Sequence, residues 1–318
     1  MVSDEDEQER QIQLAESFNP DSFWRVHSKD LNTIAHAAKA QLLVKKAAAE
    51  PDPASPTTNN VQPGMEENKM HISPSPELQL FNSLEGQPEA WQLGEPVDDF
   101  INRLPPLTTP IATCPWIWAM NPHRTPYDKY CPRADDFTTR GRQLLVQSSK
   151  TRRKIREEGA NGPKAMVTKL LSQESKALQE RIASLARETH VIAGKWMLFP
   201  RAEDVTRVWR KIVTGVIDNR LGCGCKVATD NGKNERLLCV YTKNFENTDD
   251  VLRVLNELNS MGLVPAEKPI YYKSDAYTYL DLIHGTASGY GLQASLYNSQ
   301  SLLADGKISK SVSLPQKK

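Results

Sequence analysis

Seven cations fall within the seventeen residues from Arg140 to Arg156, with no acid among them: Arg140, Arg142, Lys150, Arg152, Arg153, Lys154 and Arg156. Guanidinium and ammonium groups bind phosphates, and such contacts supply most sequence-independent affinity for nucleic acid. The segment therefore reads as an RNA-facing or nuclear-import element. An equally simple reading is a solvated helix face balanced by Glu157, Glu158 and later acids. Other groups are chemically weaker. Cys223 and Cys225 in "CGC", with Cys239 further on, suggest zinc, but structural zinc wants four ligands in paired short spacings and no second pair exists. Buried reduced thiols are the expectation, with no metal and no cofactor. His123, His190 and His284 are possible bases, yet no nucleophile motif surrounds them, so an enzyme is disfavoured. "HGTASGYG", from His284 to Gly291, is glycine-rich but lacks the strand and helix context of a phosphate cradle. It reads as a flexible loop, with a ligand-side role as the alternative.

The chain has 318 residues and a net charge of +1, so no global field demands a polyanionic partner. No apolar run is long enough to span a bilayer, and the acidic opening "MVSDEDEQER" lacks a signal-peptide core. Together with five scattered cysteines, this gives an expected cytoplasmic or nuclear location and no membrane.

Four regions follow from composition. Residues 1–49 read as an acidic start and a helical arm, and residues 50–76 as a proline-rich linker whose "SPSP" could accept phosphate. Residues 77–300 read as the folded domain, and 301–318 as a loose polar tail. Within the domain, "CPWIWAM" is a candidate first strand. Two helical patterns then flank the breaker "GANGP" at 159–163. In "GKWMLFPRAEDVTRVWRKIV", a short apolar strand stopped by Pro200 precedes a helix. Val205, Val208, Trp209, Ile212, Val213 and Val216 form its apolar stripe, which makes Trp209 a core residue. "CKVAT" and "RLLCVYT" form a hairpin across "DNGKNE". Thr248 is positioned to cap the next helix, Gly262 to end it, and "IYY" is a further strand. The order strand, helix, strand, strand, helix, strand predicts an α+β fold: a curved, mainly antiparallel sheet with helices on one face. The other face is then open, or covered by the N-terminal half. An RNA-recognition motif shares this order, but "NERLLCVYTKNF" lacks its aromatic strand pattern.

The stretches "GKWMLFPRAEDVTRVWRKIV", "KVAT", "ERLLCVYTKNFENTDDVLRVL" and "IYYKSDAYTYL" resemble the basophilic leukaemia-expressed protein family, also called domain of unknown function 1917. Over about 194–279 they are similar to the mRNA cap-binding translation initiation factor 4E fold. That resemblance implies a cationic methylguanine held between two tryptophans, with a Glu at its edge and basic residues on its phosphates. Trp116 or Trp118 lies near one expected sandwich position. The second Trp should precede Gly194, where "LARETHVIAGKW" offers Glu188 and His190 instead. The phosphate-binding Arg falls near Thr229, with Lys226 and Lys233 close by. The resemblance thus implies Trp116 and Trp118 for ligand stacking, and Trp196 and Trp209 for packing. It implies Lys226 and Lys233, beside the Arg140–Arg156 cations, for phosphate. Two functions remain open: a non-enzymatic binder of RNA or a nucleotide through a degenerate cap-type pocket, and a protein-interaction adaptor using the helical back.

Overall fold

The computed structural model describes residues 80–123 and 131–304. The expected helical arm, the linker with "SPSP" and the tail beyond 304 lie outside the described residues. Helix α1 (Val97–Arg103) is followed by strand β1 (Trp116–Met120). Two long helices come next, α2 (Ala134–Glu158) and α3 (Lys164–Thr189), separated at the expected breaker. Then follow β2 (Gly194–Leu198), α4 (Ala202–Ile217), β3 (Gly224–Ala228), β4 (Leu238–Thr242) and α5 (Thr248–Ser260). The chain continues through β5 (Tyr271–Ser274), α6 (Asp275–Tyr279), α7 (His284–Gly289) and the short β6 (Tyr297–Asn298).

The six strands form one sheet in the order β1-β3-β4-β2-β5-β6, and every neighbouring pair is antiparallel. The fold is α+β, as the element order implies. At the outer edge of β1, Trp91 N–H donates to Trp118 O and Trp118 N–H to Glu89 O. That pairing blunts an edge that would otherwise offer free backbone groups.

Alternation along the strands assigns the two sheet faces. Ile117, Cys225, Val227, Leu238, Val240, Trp196 and Tyr272 point toward the helical layer. All are fully buried, together with Val205, Trp209, Ile212, Val213 and Val216 of α4 and Val251, Val254, Leu255 and Leu258 of α5. Trp209 is therefore a core residue, with its ring 6.3 Å from Phe100 of α1. Trp196 is fully buried too: its indole N–H donates to Val251 O at 3.1 Å and its ring meets Tyr272 edge-on at 5.3 Å.

Three local expectations are corrected. Helix α5 is capped by Asn247, whose side chain accepts from Asp250 N–H, rather than by Thr248. The Asn side chain reaches the orphan N–H three residues on, a better cap than the following Thr. His284–Gly289 forms the short helix α7, not a loop. Thr286 fixes its first turn by accepting from Ile283 N–H at 3.0 Å. Leu302 is buried in the core, so the packed region runs past residue 300. Gly262 ends α5 as expected, with φ +69°.

Replacing Trp209 removes the largest side chain shared by α1 and α4. Trp209→Ala should lower unfolding stability by about 3–5 kcal/mol, read from urea melts. A loss below about 1 kcal/mol would contradict this packing.

Candidate functional site

The sheet face away from α4 and α5 carries an unusual set of side chains. Trp116 and Trp118 of β1, Lys226 of β3, Cys239 and Tyr241 of β4, Lys195 and Met197 of β2, and Lys273 of β5 share it by register. Hydrophobic faces normally pair with apolar residues, so three lysines on a buried face need specific partners. Aromatic rings provide them for Lys226 and Lys195. The Lys226 ammonium lies 4.0 Å from the Trp116 ring centroid, 4.9 Å from Trp118 and 5.8 Å from Tyr241. Trp118 and Tyr241 are themselves stacked, with centroids 6.1 Å apart and planes 22° from parallel. On the other side of Tyr241, the Lys195 ammonium sits 5.6 Å from the same ring. Lys195 also pairs with Asp275 at 2.6 Å and donates to Thr278 Oγ1 at 3.0 Å, both on α6.

Most of this array is withdrawn from solvent, while Trp118 and Tyr241 are half-buried. Lys226 is 3% exposed, Trp116 6%, Lys195 7% and Lys273 8%. The face expected to be either open or covered is buried around Lys226 and partly accessible at Trp118 and Tyr241. Trp116 and Trp118, expected to stack on a ligand, are brought together around a cation, and that cation is the chain's own Lys226. Lys226 is thereby a buried residue packed against those rings. Burial lowers its pKa to about 8; the charge of Lys195 adds to the shift, while Cys239 and Asp275 oppose it. Cys225 and Cys239 are also buried, and burial pushes both thiols up, away from the reactive thiolate.

The remaining cap-like positions are dispersed. Lys233 is exposed in the β3–β4 turn, and Thr229 donates to Cys114 O. Glu188 sits near the C-terminal end of α3, where both its oxygens are held at 2.6 Å by Arg140. His190 takes a left-handed conformation just after that helix. Among the described residues, no group of three or more His, Cys, Asp or Glu could hold a metal ion, and no helix is long and apolar enough to cross a membrane.

The basic segment divides on α2. Phe137, Gly141, Leu145, Ser148 and Arg152 recur every three or four residues and form the buried seam of α2, with Phe137 against Tyr279, Gly141 against Leu280 and Arg152 against α3. Arg152, expected on the RNA-facing surface, is turned inward and is 6% exposed, because its spacing places it on that seam. Arg140 is tied to Glu188 and Asp136. Arg142, Lys150, Arg153, Lys154 and Arg156 remain exposed. Arg142, Val146, Lys150 and Lys154, spaced by four, form one outward stripe. Their pairs along the helix are loose: Arg153–Glu157 at 3.7 Å and Lys154–Glu158 at 3.6 Å.

The family model of basophilic leukemia-expressed protein Bles03 matches residues 11–281, and the chain belongs to that family. Among solved structures, Ascaris suum eIF4E-3 matches in complexes with the m7G cap and with the m2,2,7G cap. Each match has 18% identity, covers 26% of this chain and 51% of the other, and gives a TM-score of 0.24. The chain thus spans about half the length of those structures, and a likeness of that size carries no argument about ligand.

The pH response of Lys226 follows from its surroundings. Between about pH 8 and 10.5 the unfolded chain keeps this proton while the folded chain has released it, so this group adds stability as pH rises. Below pH 8 both states hold the proton, and the cost of burying the charge is fully present. The contribution should amount to roughly 3 kcal/mol at most and should vanish in Lys226→Met. Chemical denaturation of both proteins at pH 7.5 and 10.5 checks it; identical pH dependence would refute it.

Proposed function

We propose that this family member is a non-catalytic RNA-binding protein of the cytoplasm or nucleus, and that it grips the phosphate backbone with the outer face of α2 rather than with its sheet. The observation that carries the reading is the exposed stripe of Arg142, Lys150 and Lys154, flanked by Arg153 and Arg156. An α-helix rises 5.4 Å per turn, so residues spaced by four present cations at intervals that a flexible phosphodiester chain can follow. The loose pairs with Glu157 and Glu158 are solvent-exposed and worth little, so phosphates can replace them. The cap ligands named for the Ascaris proteins are not carried over, because the Trp116–Trp118 pair already holds Lys226.

A protein-interaction adaptor is the second reading. Val146, Met166 and Leu170 are 55%, 56% and 40% exposed on α2 and α3, and large apolar side chains in solvent favour a partner surface.

Fluorescence anisotropy with labelled single-stranded RNA separates the two. The RNA reading expects affinity that falls steeply with salt. The Lys150→Gln, Lys154→Gln double variant should flatten the log–log salt slope by roughly 1.4, about 0.7 for each lost phosphate contact. Free methylguanosine triphosphate should not compete. An absence of RNA binding at low salt, or a slope unchanged in the double variant, would move the assignment to the adaptor.

A further inference from the structure

Arg152 is more than a seam residue. Its Nη1 donates to Leu171 O at 3.1 Å and to Ser175 Oγ at 2.9 Å, which ties α2 to α3. Its Nε is buried without a hydrogen-bond partner, and no carboxylate among the described residues lies within ion-pair distance. The nearest candidate, Glu174, is held by Arg181 at 2.6 Å. Burial lowers the pKa of Arg152, with the charge of Arg156 adding and Glu174 opposing. An arginine keeps its charge regardless, so the chain carries a buried cation with unspent donors.

Arg152 is also among the residues lining a cleft of about 490 Å³ between α3 and the segment 291–296. Arg152 and Lys176 bring two positive charges to its wall, Ser172 and Ser295 bring hydroxyls, and no acidic side chain lines it. Tyr277 and Leu296 supply an apolar side. Gly291 brings its backbone close to the guanidinium, where no side chain would fit. It has φ +68°, and a Cβ there would sit 2.4 Å from Ser175 Oγ and 3.3 Å from Arg152 Nη2.

We propose that this cleft binds a small phosphate monoester, with the phosphoryl group on Arg152 and Lys176 and the organic part against Tyr277 and Leu296. A phosphoryl group carries about −1.5 to −2 charges and three terminal oxygens, which matches two cations and surrounding hydroxyls better than a planar carboxylate does. The volume falls in the range of small-ligand pockets, about 300–1,000 Å³. The site is separate from the RNA-facing stripe of α2 and does not depend on that reading.

The test uses the full chain, with inorganic phosphate and phenyl phosphate as probes and sodium chloride at matched ionic strength as control. Both phosphates should raise Tm saturably and broaden their own phosphorus resonances, phenyl phosphate at lower concentration, while chloride does neither. Losing a charged contact costs about tenfold or more in affinity, so Arg152→Gln and Lys176→Glu should each weaken binding by at least that factor. Lys176 is solvent-exposed on α3, so its variant decides the matter if Arg152→Gln fails to fold. Equal effects of chloride, or undiminished affinity in Lys176→Glu, would overturn the proposal. Loss of binding in Lys150→Gln, Lys154→Gln would also overturn it, by placing the phosphate on the outer face of α2.

Discussion

A buried ammonium group sets the terms for this sheet. Lys226 could not sit at mid-strand with 3% exposure unless its charge were met, and the rings of Trp116, Trp118 and Tyr241 surround it at 4.0–5.8 Å. Each ring offers about 0.5–2 kcal/mol of cation–π attraction in a desolvated setting. That attraction works against the dehydration that pulls the pKa down. Register makes the arrangement possible: Trp118 pairs directly with Lys226, Lys226 with Cys239, and Tyr241 with Lys195. A slip of one residue in β3 would send the ammonium into the apolar layer beside Trp196 and Ile212. The aromatic face and the helical core are thus fixed by the same hydrogen-bond ladder.

The consequence is a competition for the rings. Two tryptophans near a cation-binding geometry suggest a ligand sandwich, and the chemistry of that suggestion is sound. What the sandwich holds is a tethered cation at the effective concentration of an intramolecular contact. A free cationic ring would have to displace Lys226 and leave its charge stranded among Cys239, Met197 and the ring edges, at a cost of several kcal/mol. The exposed charge of α2 lies away from this face.

Much of the fold was legible because several local signals agreed. The stripe of α4, the acidic first turn and glycine stop of α5, and the "GANGP" break each specify one structure. The missed cap at Asn247 is a one-residue difference between two competent cap types. The missed helix α7 lies in a glycine-rich stretch whose intrinsic preference is poor, and Ile283, Thr286 and the buried Ala287 stabilise it instead. The covered sheet face was not legible from any one strand. "GKWML" does read as apolar on both sides, and all five of its residues are buried. A strand without alternation indicates two covered faces, and that signal was available.

The fate of Arg152 shows why charge counting along a chain misplaces a site. Seven cations in seventeen residues look like one surface, yet a helix distributes them by angle. Phe137, Gly141, Leu145 and Ser148 mark the angle of the seam, and Arg152 continues it by one more turn. Reading that spacing first would have removed Arg152 from the exposed set and posed a different question: what balances a charge so placed? The described protein answers only in part, with a carbonyl and a hydroxyl and no carboxylate. No carboxylate among the described residues balances the guanidinium, and Arg152 lines a cleft without acidic side chains. The same segment thus places its cations on two sides of α2, separated by about half a turn of helix.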